Sequence, residues 1–162
     1  MLEQVLHQIP ILADLSPEQL DLLKPIFSLE ICPQKRVIFE QGAPANYLYI
    51  VIKGEVLIQF KPHDGEIITV ARIKEGGVFG WSAALGNETY TSGAICIAQT
   101  KLLKVLGEDL KNLRQNHPET GILILERLAE VVLERVKRTG AQSQVVALLE
   151  HALKNGVKPI GG

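Results

Sequence analysis

The residues with the most chemical potential lie between Gly76 and Ala98, which read GGVFGWSAALGNETYTSGAICIA. Two glycines precede an aromatic, Gly80 follows, and the small residues Ser82-Ala83-Ala84 lead to Leu85. The pattern reads as a strand that stops at a tight turn and feeds one short helix. Small side chains at a helix start leave backbone N–H groups accessible, and such groups are natural donors to an anion such as phosphate. The candidate ligand-binding set is therefore Gly80, Trp81, Ser82, Ala83 and Ala84, joined by the hydroxyl residues Thr91 and Ser92. An ordinary tight turn has the same composition, so the two readings stand side by side.

No catalytic set accompanies it. The histidines are His7, His63, His117 and His151. His63 adjoins Asp64-Gly65 at a predicted hairpin tip, and His117 precedes a proline at a helix start. Polar residues are ordinary at a hairpin tip, and His117 reads as a cap-region residue rather than a base. HExxH, phosphate-loop and dinucleotide-binding glycine spacings are absent, as is a serine in a nucleophile-elbow setting. The chain is predicted to be non-catalytic and to hold no metal. Cys32 and Cys96 are too few for a four-thiolate site, sit among apolar neighbours far apart in sequence, and read as small buried hydrophobes of a reducing compartment.

Composition narrows the partners. The 162 residues suit one domain, and a hydrophobic content of 46% is enough for a core. Seventeen Lys and Arg against eighteen Asp and Glu give a net charge of −1, without the basic excess of a nucleic-acid binder. Glu3, Gln4, His7 and Pro10 interrupt the N-terminus, so it does not read as a signal peptide. No apolar run approaches the ~18 residues of a membrane span. A cytoplasmic protein without a membrane partner is expected.

These residues must be positioned by a fold with three textures. Ser16, Pro17 and Gln19 form a helix-start signature with a capping box, ahead of the apolar Leu20, Leu22, Leu23 and Phe27. From about residue 29 to 106, short β-branched runs alternate with glycine punctuation: 36–39, 47–52, 56–60, 67–73, 94–98 and 101–106. Such spacing predicts an all-β sandwich or barrel, with Lys53-Gly54 and Asp64-Gly65 as hairpin turns. Helical texture returns in 108–113 and in a long segment from about 117 to 139. There Ile122, Leu125, Ala129, Val132 and Val136 follow a 3, 4, 3, 4 spacing, widened by Ile124, Leu128 and Val131. This stripe fits a helix packed on its own β-core and also a homodimer seam through residues 122–136. Residues 143–153 suggest a further helix before a frayed tail. The expected class is mainly β with flanking α, a double-stranded β-helix (jelly-roll or β-roll) with an N-terminal helix and C-terminal helices. The domain is placed at 1–140, with 141–162 as C-terminal helix and tail.

Several motifs in order resemble the cyclic nucleotide-binding domain family of the catabolite activators and protein-kinase regulatory subunits. They are LSPEQL at Leu15–Leu20, YIVIKGEV at Tyr49–Val56, GGVFG followed by SAAL from Gly76, and the strand Ala94–Ala98. The resemblance covers about Ile11 to Thr139. It implies a β-roll whose phosphate-binding cassette corresponds to Phe79–Leu85, a small-molecule effector such as a cyclic nucleotide (cAMP or cGMP), and signalling through the C-terminal helix. In the family's cassette pattern a glutamate follows Phe-Gly, and here that residue is Trp81. Aligning Ala94 and Ala98 with the family's R-x-A-x-V-x-A pattern puts Ser92 at the position of its phosphate-pairing arginine. Losing both anchors is expected to cost ~3–5 kcal/mol of nucleotide affinity. Arg72 or Lys74 is a candidate replacement charge from another direction. Trp81 reads either as a ligand-stacking ring or as a plug that packs as core. Haem and iron–sulfur sensing are disfavoured, since no Cys or His lies in the cassette at Phe79–Leu85. Fewer residues follow Thr139 than a helix-turn-helix domain needs, so direct DNA binding is not expected. The sequence thus leaves two functions open: a ligand-sensing regulatory module, or a degenerate domain that binds no nucleotide and serves as a protein-interaction or dimerisation scaffold.

Overall fold

The computed structural model describes residues 2–9 and 12–139. Helices α1 (Leu2–Gln8) and α2 (Pro17–Leu23) precede the strands β1 (Phe27–Cys32), β2 (Val37–Phe39), β3 (Tyr47–Lys53), β4 (Val56–Phe60), β5 (Ile68–Ile73) and β6 (Val78–Phe79). The single-turn helix α3 (Trp81–Ala84) leads to β7 (Gly93–Cys96) and β8 (Thr100–Leu106), and the helices α4 (Gly107–Asn116) and α5 (Pro118–Thr139) follow. The capping box at α2 is present: the Ser16 hydroxyl accepts from the Gln19 N–H, and the Gln19 side chain accepts from the Ser16 N–H.

The strands pair antiparallel into two four-stranded sheets, β1-β8-β3-β6 and β2-β7-β4-β5. This is the expected β-roll. One turn differs from expectation. Lys53-Gly54 does not close a hairpin, because β3 and β4 belong to different sheets. It is a corner at which the chain crosses over, with Gly54 at φ 110° against the backbone of Gln99 and Thr100. A glycine between two β-branched runs is the same local signal in both cases. Asp64-Gly65 lies in the loop of a true hairpin, in which Phe60 faces Ile68.

Burial explains the strand patterns. In β3, Leu48, Tyr49, Ile50 and Val51 are all buried. Their side chains alternate between two cores: Leu48 and Ile50 join a cluster with the helices, while Tyr49 and Val51 join the cluster inside the roll. In β8, Leu103 and Val105 face the helices and Leu102 faces the roll. The first sheet is thus covered on both faces. In the second sheet, Val56 and Ile58 are buried while Leu57 and Gln59 are half-exposed, the alternation of a sheet with one face to water.

The long helix uses its stripe unevenly. Ile124 and Leu128 are fully buried against the first sheet and α1–α2, Leu125, Ala129 and Val131 are partly buried, and Ile122 is 51% exposed. The side chains of Val132 and Val136, and the helix expected at 143–153, lie outside the described residues. Arg127, on the same helix, reaches Asp14 in a two-pronged ion pair. The guanidinium holds the Asp14 carboxyl below its ordinary range. α5 is thereby pinned to the turn before α2. Leu128→Ala is expected to destabilise the protein by about 2–5 kcal/mol through lost burial and a cavity. Ile122→Ala is expected to stay within about 0.5 kcal/mol. Urea denaturation of the two variants checks this difference.

Candidate ligand-binding cassette

The turn between β6 and α3 positions Gly80, Trp81, Ser82, Ala83 and Ala84. Gly80 caps α3 in the left-handed region at φ 84°, and a Cβ there would come within 2.7 Å of the Tyr47 carbonyl oxygen. Only glycine turns the chain so tightly against β3. Trp81, Ser82, Ala83 and Ala84 form the one-turn helix and are all buried. The Ala83 N–H is already occupied by the Gly80 carbonyl. The sequence reading that offered this N–H to a phosphate is corrected by the tightness of the turn.

The chain from Gly86 to Ser92 returns along residues 42–45. Ala45 N–H donates to the Glu88 carbonyl, Gly42 N–H to the Tyr90 carbonyl, and Tyr90 N–H to the Ala43 carbonyl. Tyr90 fixes this return. Its ring stacks on Phe39 at 3.6 Å between centroids, and its hydroxyl donates to the Tyr47 carbonyl at 2.6 Å. That hydroxyl also accepts from the Tyr47 N–H at 3.0 Å. Burial pushes the Tyr90 phenol up to about 12, so it remains a neutral strut. Phe79, stacked on Tyr49 at 4.9 Å, continues the aromatic lining of the roll. Neither Tyr90 nor its partners stood out in the sequence; an aromatic between two threonines was the only local sign.

Four buried polar atoms in this stretch have no protein hydrogen-bond partner: Trp81 Nε1, Ser82 Oγ, Asn87 Nδ2 and Ser92 Oγ. They constitute the unsatisfied buried side-chain polar atoms among the described residues, and all fall within residues 81–92. Each bears a hydrogen to donate. Stranding such groups costs roughly 1–3 kcal/mol apiece, so native proteins hold few of them without a reason. Sequence singled out Trp81, Ser82 and Ser92 on other grounds and missed Asn87. Thr91 is half-buried beside them. Trp81 packs with Leu48, Val78, Leu110 and Ile124 in the helix-side cluster, not with the aromatics inside the roll. Its ring is core, and only its N–H is left over.

Residues 76–98 contain no Lys or Arg, and Glu88 is their one ionisable acid. Arg72 faces outward on β5 and is paired with Glu55 at 2.8 Å, and Lys74 is exposed. The alternation that buries Ile73 forces Arg72 to the opposite face. Among the described residues, no group of three or more His, Cys, Asp or Glu is placed to hold a metal ion, and no helix is long and apolar enough to cross a membrane.

A two-sheet antiparallel roll, a glycine turn into a one-turn helix, and helices behind define a class that also appears in comparison with known proteins. The model of the cyclic nucleotide-binding domain matches residues 30–117. The chain belongs to that family. It is 29% identical over 158 residues to the cyclic AMP receptor protein of Thermus thermophilus, covering 93% of this chain and 73% of that protein. It is 31% identical over 108 residues to the global nitrogen regulator of Nostoc sp., covering 65% of this chain and 48% of the regulator. The chain therefore spans about half the length of the nitrogen regulator. Its fold is shared with the regulatory subunit of a cAMP-independent protein kinase A from Trypanosoma brucei, at a TM-score of 0.65 and 20% identity over 93% of this chain and 50% of that one.

The stranded donors and the Tyr90 strut predict opposite mutational effects. Ser92→Ala and Ser82→Ala are expected to leave stability of the free protein unchanged or raised, since each removes a stranded donor. Tyr90→Phe is expected to lower it by about 1–3 kcal/mol, because two backbone groups of Tyr47 lose their partner. Chemical denaturation in the absence of ligand measures all three.

Proposed function

We propose that this chain is a non-catalytic, ligand-sensing regulatory module whose effector is held by neutral side-chain donors of the cassette region at Trp81, Ser82, Asn87, Thr91 and Ser92. The carrying observation is the confinement of the stranded donors to residues 81–92, the stretch that holds the family's cassette. A cyclic nucleotide (cAMP or cGMP) is one candidate effector. Its phosphate would meet hydroxyl and amide donors and no cation, so its affinity is set below that of an arginine-anchored site by the ~3–5 kcal/mol of the two missing contacts. That a cAMP-independent kinase regulatory subunit shares this fold is consistent with a cassette that has changed its ligand.

The route from cassette to helices is short. At Gly107, the first residue of α4, a Cβ would overlap the Ala83 carbonyl, so α4 starts in direct contact with α3. The Gly107 N–H donates to the Asn46 carbonyl at 2.8 Å. At the other end of α4, a Cβ on Gly121 would lie 2.6 Å from the Arg114 Cα, so α5 meets α4 with equally little slack. A ligand that binds one position of α3 more tightly would bias α4 and α5, and only that difference in affinity can drive a switch. A homodimer through residues 122–136, reading the position of α5, fits the exposed Ile122. The scaffold reading draws on a different fact, the packing of the Trp81 ring into the core.

Calorimetric titration with cAMP and cGMP separates the readings. The sensing reading expects millimolar or weaker binding of the nucleotides to the natural chain. It expects Ser92→Arg to tighten the interaction by at least about tenfold, an arginine–phosphate bond being worth about 1.5–3 kcal/mol. Tight binding that survives Ser82→Ala and Ser92→Ala together would remove these donors from the site. For the dimer, Ile122→Lys is expected to yield monomers by light scattering without loss of the fold.

A further inference from the structure

Cys32 and Cys96 are 64 positions apart in sequence, yet the roll brings them together. Cys32 ends β1 in the first sheet, opposite Thr100. Cys96 ends β7 in the second sheet, opposite Val56. Both are reduced and buried, at 1% and 0% exposure, in the cluster inside the roll. Cys32 faces Thr100, whose hydroxyl bonds the Glu55 carbonyl next to the Val56 that faces Cys96, and Cys96 exchanges backbone bonds with Lys35 and Arg36, so the two side chains are neighbours inside the roll. β1 and β7 share no backbone ladder, so the pair lies between the two sheets.

The loop that follows Cys32 is bonded to Cys96. Pro33, Gln34, Lys35 and Arg36 are all exposed. The loop is held down by three backbone bonds: Lys35 N–H to the Cys96 carbonyl, Cys96 N–H to the Arg36 carbonyl, and Arg36 N–H to the Pro33 carbonyl. Lys35 adopts a left-handed φ of 74° to make its bond, a conformation a lysine side chain disfavours. The loop is thus short, exposed and strained at Lys35. Burial raises both thiols, Cys32 to about 12, which holds the pair protonated in the closed roll.

We propose that Cys32 and Cys96 form a redox-active dithiol that closes into an intramolecular disulfide, stapling β1 to β7 across the two sheets. The oxidant is hydrogen peroxide. One thiolate attacks the O–O bond, keeps one oxygen as a sulfenic acid and releases the other as water after protonation. The second sulfur then displaces that oxygen as a further water. Two S–H bonds and one O–O bond become one S–S bond and two waters; the thiols lose two electrons and the peroxide gains them. Because β7 begins directly after Ser92, the staple also fixes the strand that leaves the cassette.

The test uses the full chain, treated with hydrogen peroxide under native conditions, quenched with iodoacetamide and examined by intact mass and peptide mapping. The expected product is a monomer two hydrogens lighter, with no alkylated cysteine, a Cys32–Cys96 cross-linked peptide, and both thiols restored by dithiothreitol. Its thermal midpoint should lie above that of the reduced form, a shift absent from Cys96→Ser and Cys32→Ser. Two alkylatable thiols persisting in the native protein, while urea-unfolded protein oxidises, would overturn the proposal. So would oxygen addition without a cross-link, or cross-links only between chains. The peptide map of the natural chain decides the matter even if a serine variant fails to fold.

Discussion

The first sheet has to be buried on both faces, and most of the structure follows from that constraint. Strand β3 is buried from Leu48 to Val51 and β8 buries Leu102, Leu103 and Val105, which point to both faces, so neither face tolerates water. The second sheet covers one face and forms the roll; α1, α2, α4 and α5 cover the other. The cassette hangs on the edge of this shared wall, since β6 pairs with β3 at Tyr49 and Ile50 and then turns through Gly80 into α3. The turn through Gly80 consequently joins the two cores, with Phe79 of β6 in the roll and Trp81 and Ala84 of α3 on the helix side.

That geometry gives a plain physical account of how a small binding event could matter at a distance. The cassette, α4 and α5 meet through glycines at which no side chain intervenes, Gly107 against Ala83 and Gly121 against Arg114. Contacts of backbone on backbone transmit displacement with little slack, because packed interiors cannot compress. The Asp14–Arg127 ion pair sets where α5 rests against the N-terminal segment. It is solvent-exposed and therefore adjusts at small cost.

The fold was largely legible in sequence because its signals are local: the capping box at Ser16, the glycine-punctuated strands, and the cassette motif from Gly76. What sequence missed depends on topology. Nothing at Gly54 distinguishes a hairpin from a crossover. Asp14 finds Arg127, and Cys32 finds Cys96, only after the sheets are stacked. In the cassette, Trp81 and Ser92 were visible as departures from a pattern, but whether the indole ring fills a pocket or a core was not. The answer depends on which face of the one-turn helix meets α4 and α5. Tyr90 and Asn87 were silent, since their roles are a stacking partner and a lack of hydrogen-bond partners, both three-dimensional properties.

The central claim is that the buried donors of residues 81–92 receive a ligand and that the resulting bias reaches the long helix through Gly107. Hydrogen–deuterium exchange of the full chain, with and without saturating cAMP or cGMP, tests it most directly. The account predicts slower exchange in residues 80–92 together with a change in α4 and the first turns of α5, the latter weakened in Gly107→Ala. Protection confined to some other surface, or a cassette response that leaves α4 and α5 unaltered, would contradict it.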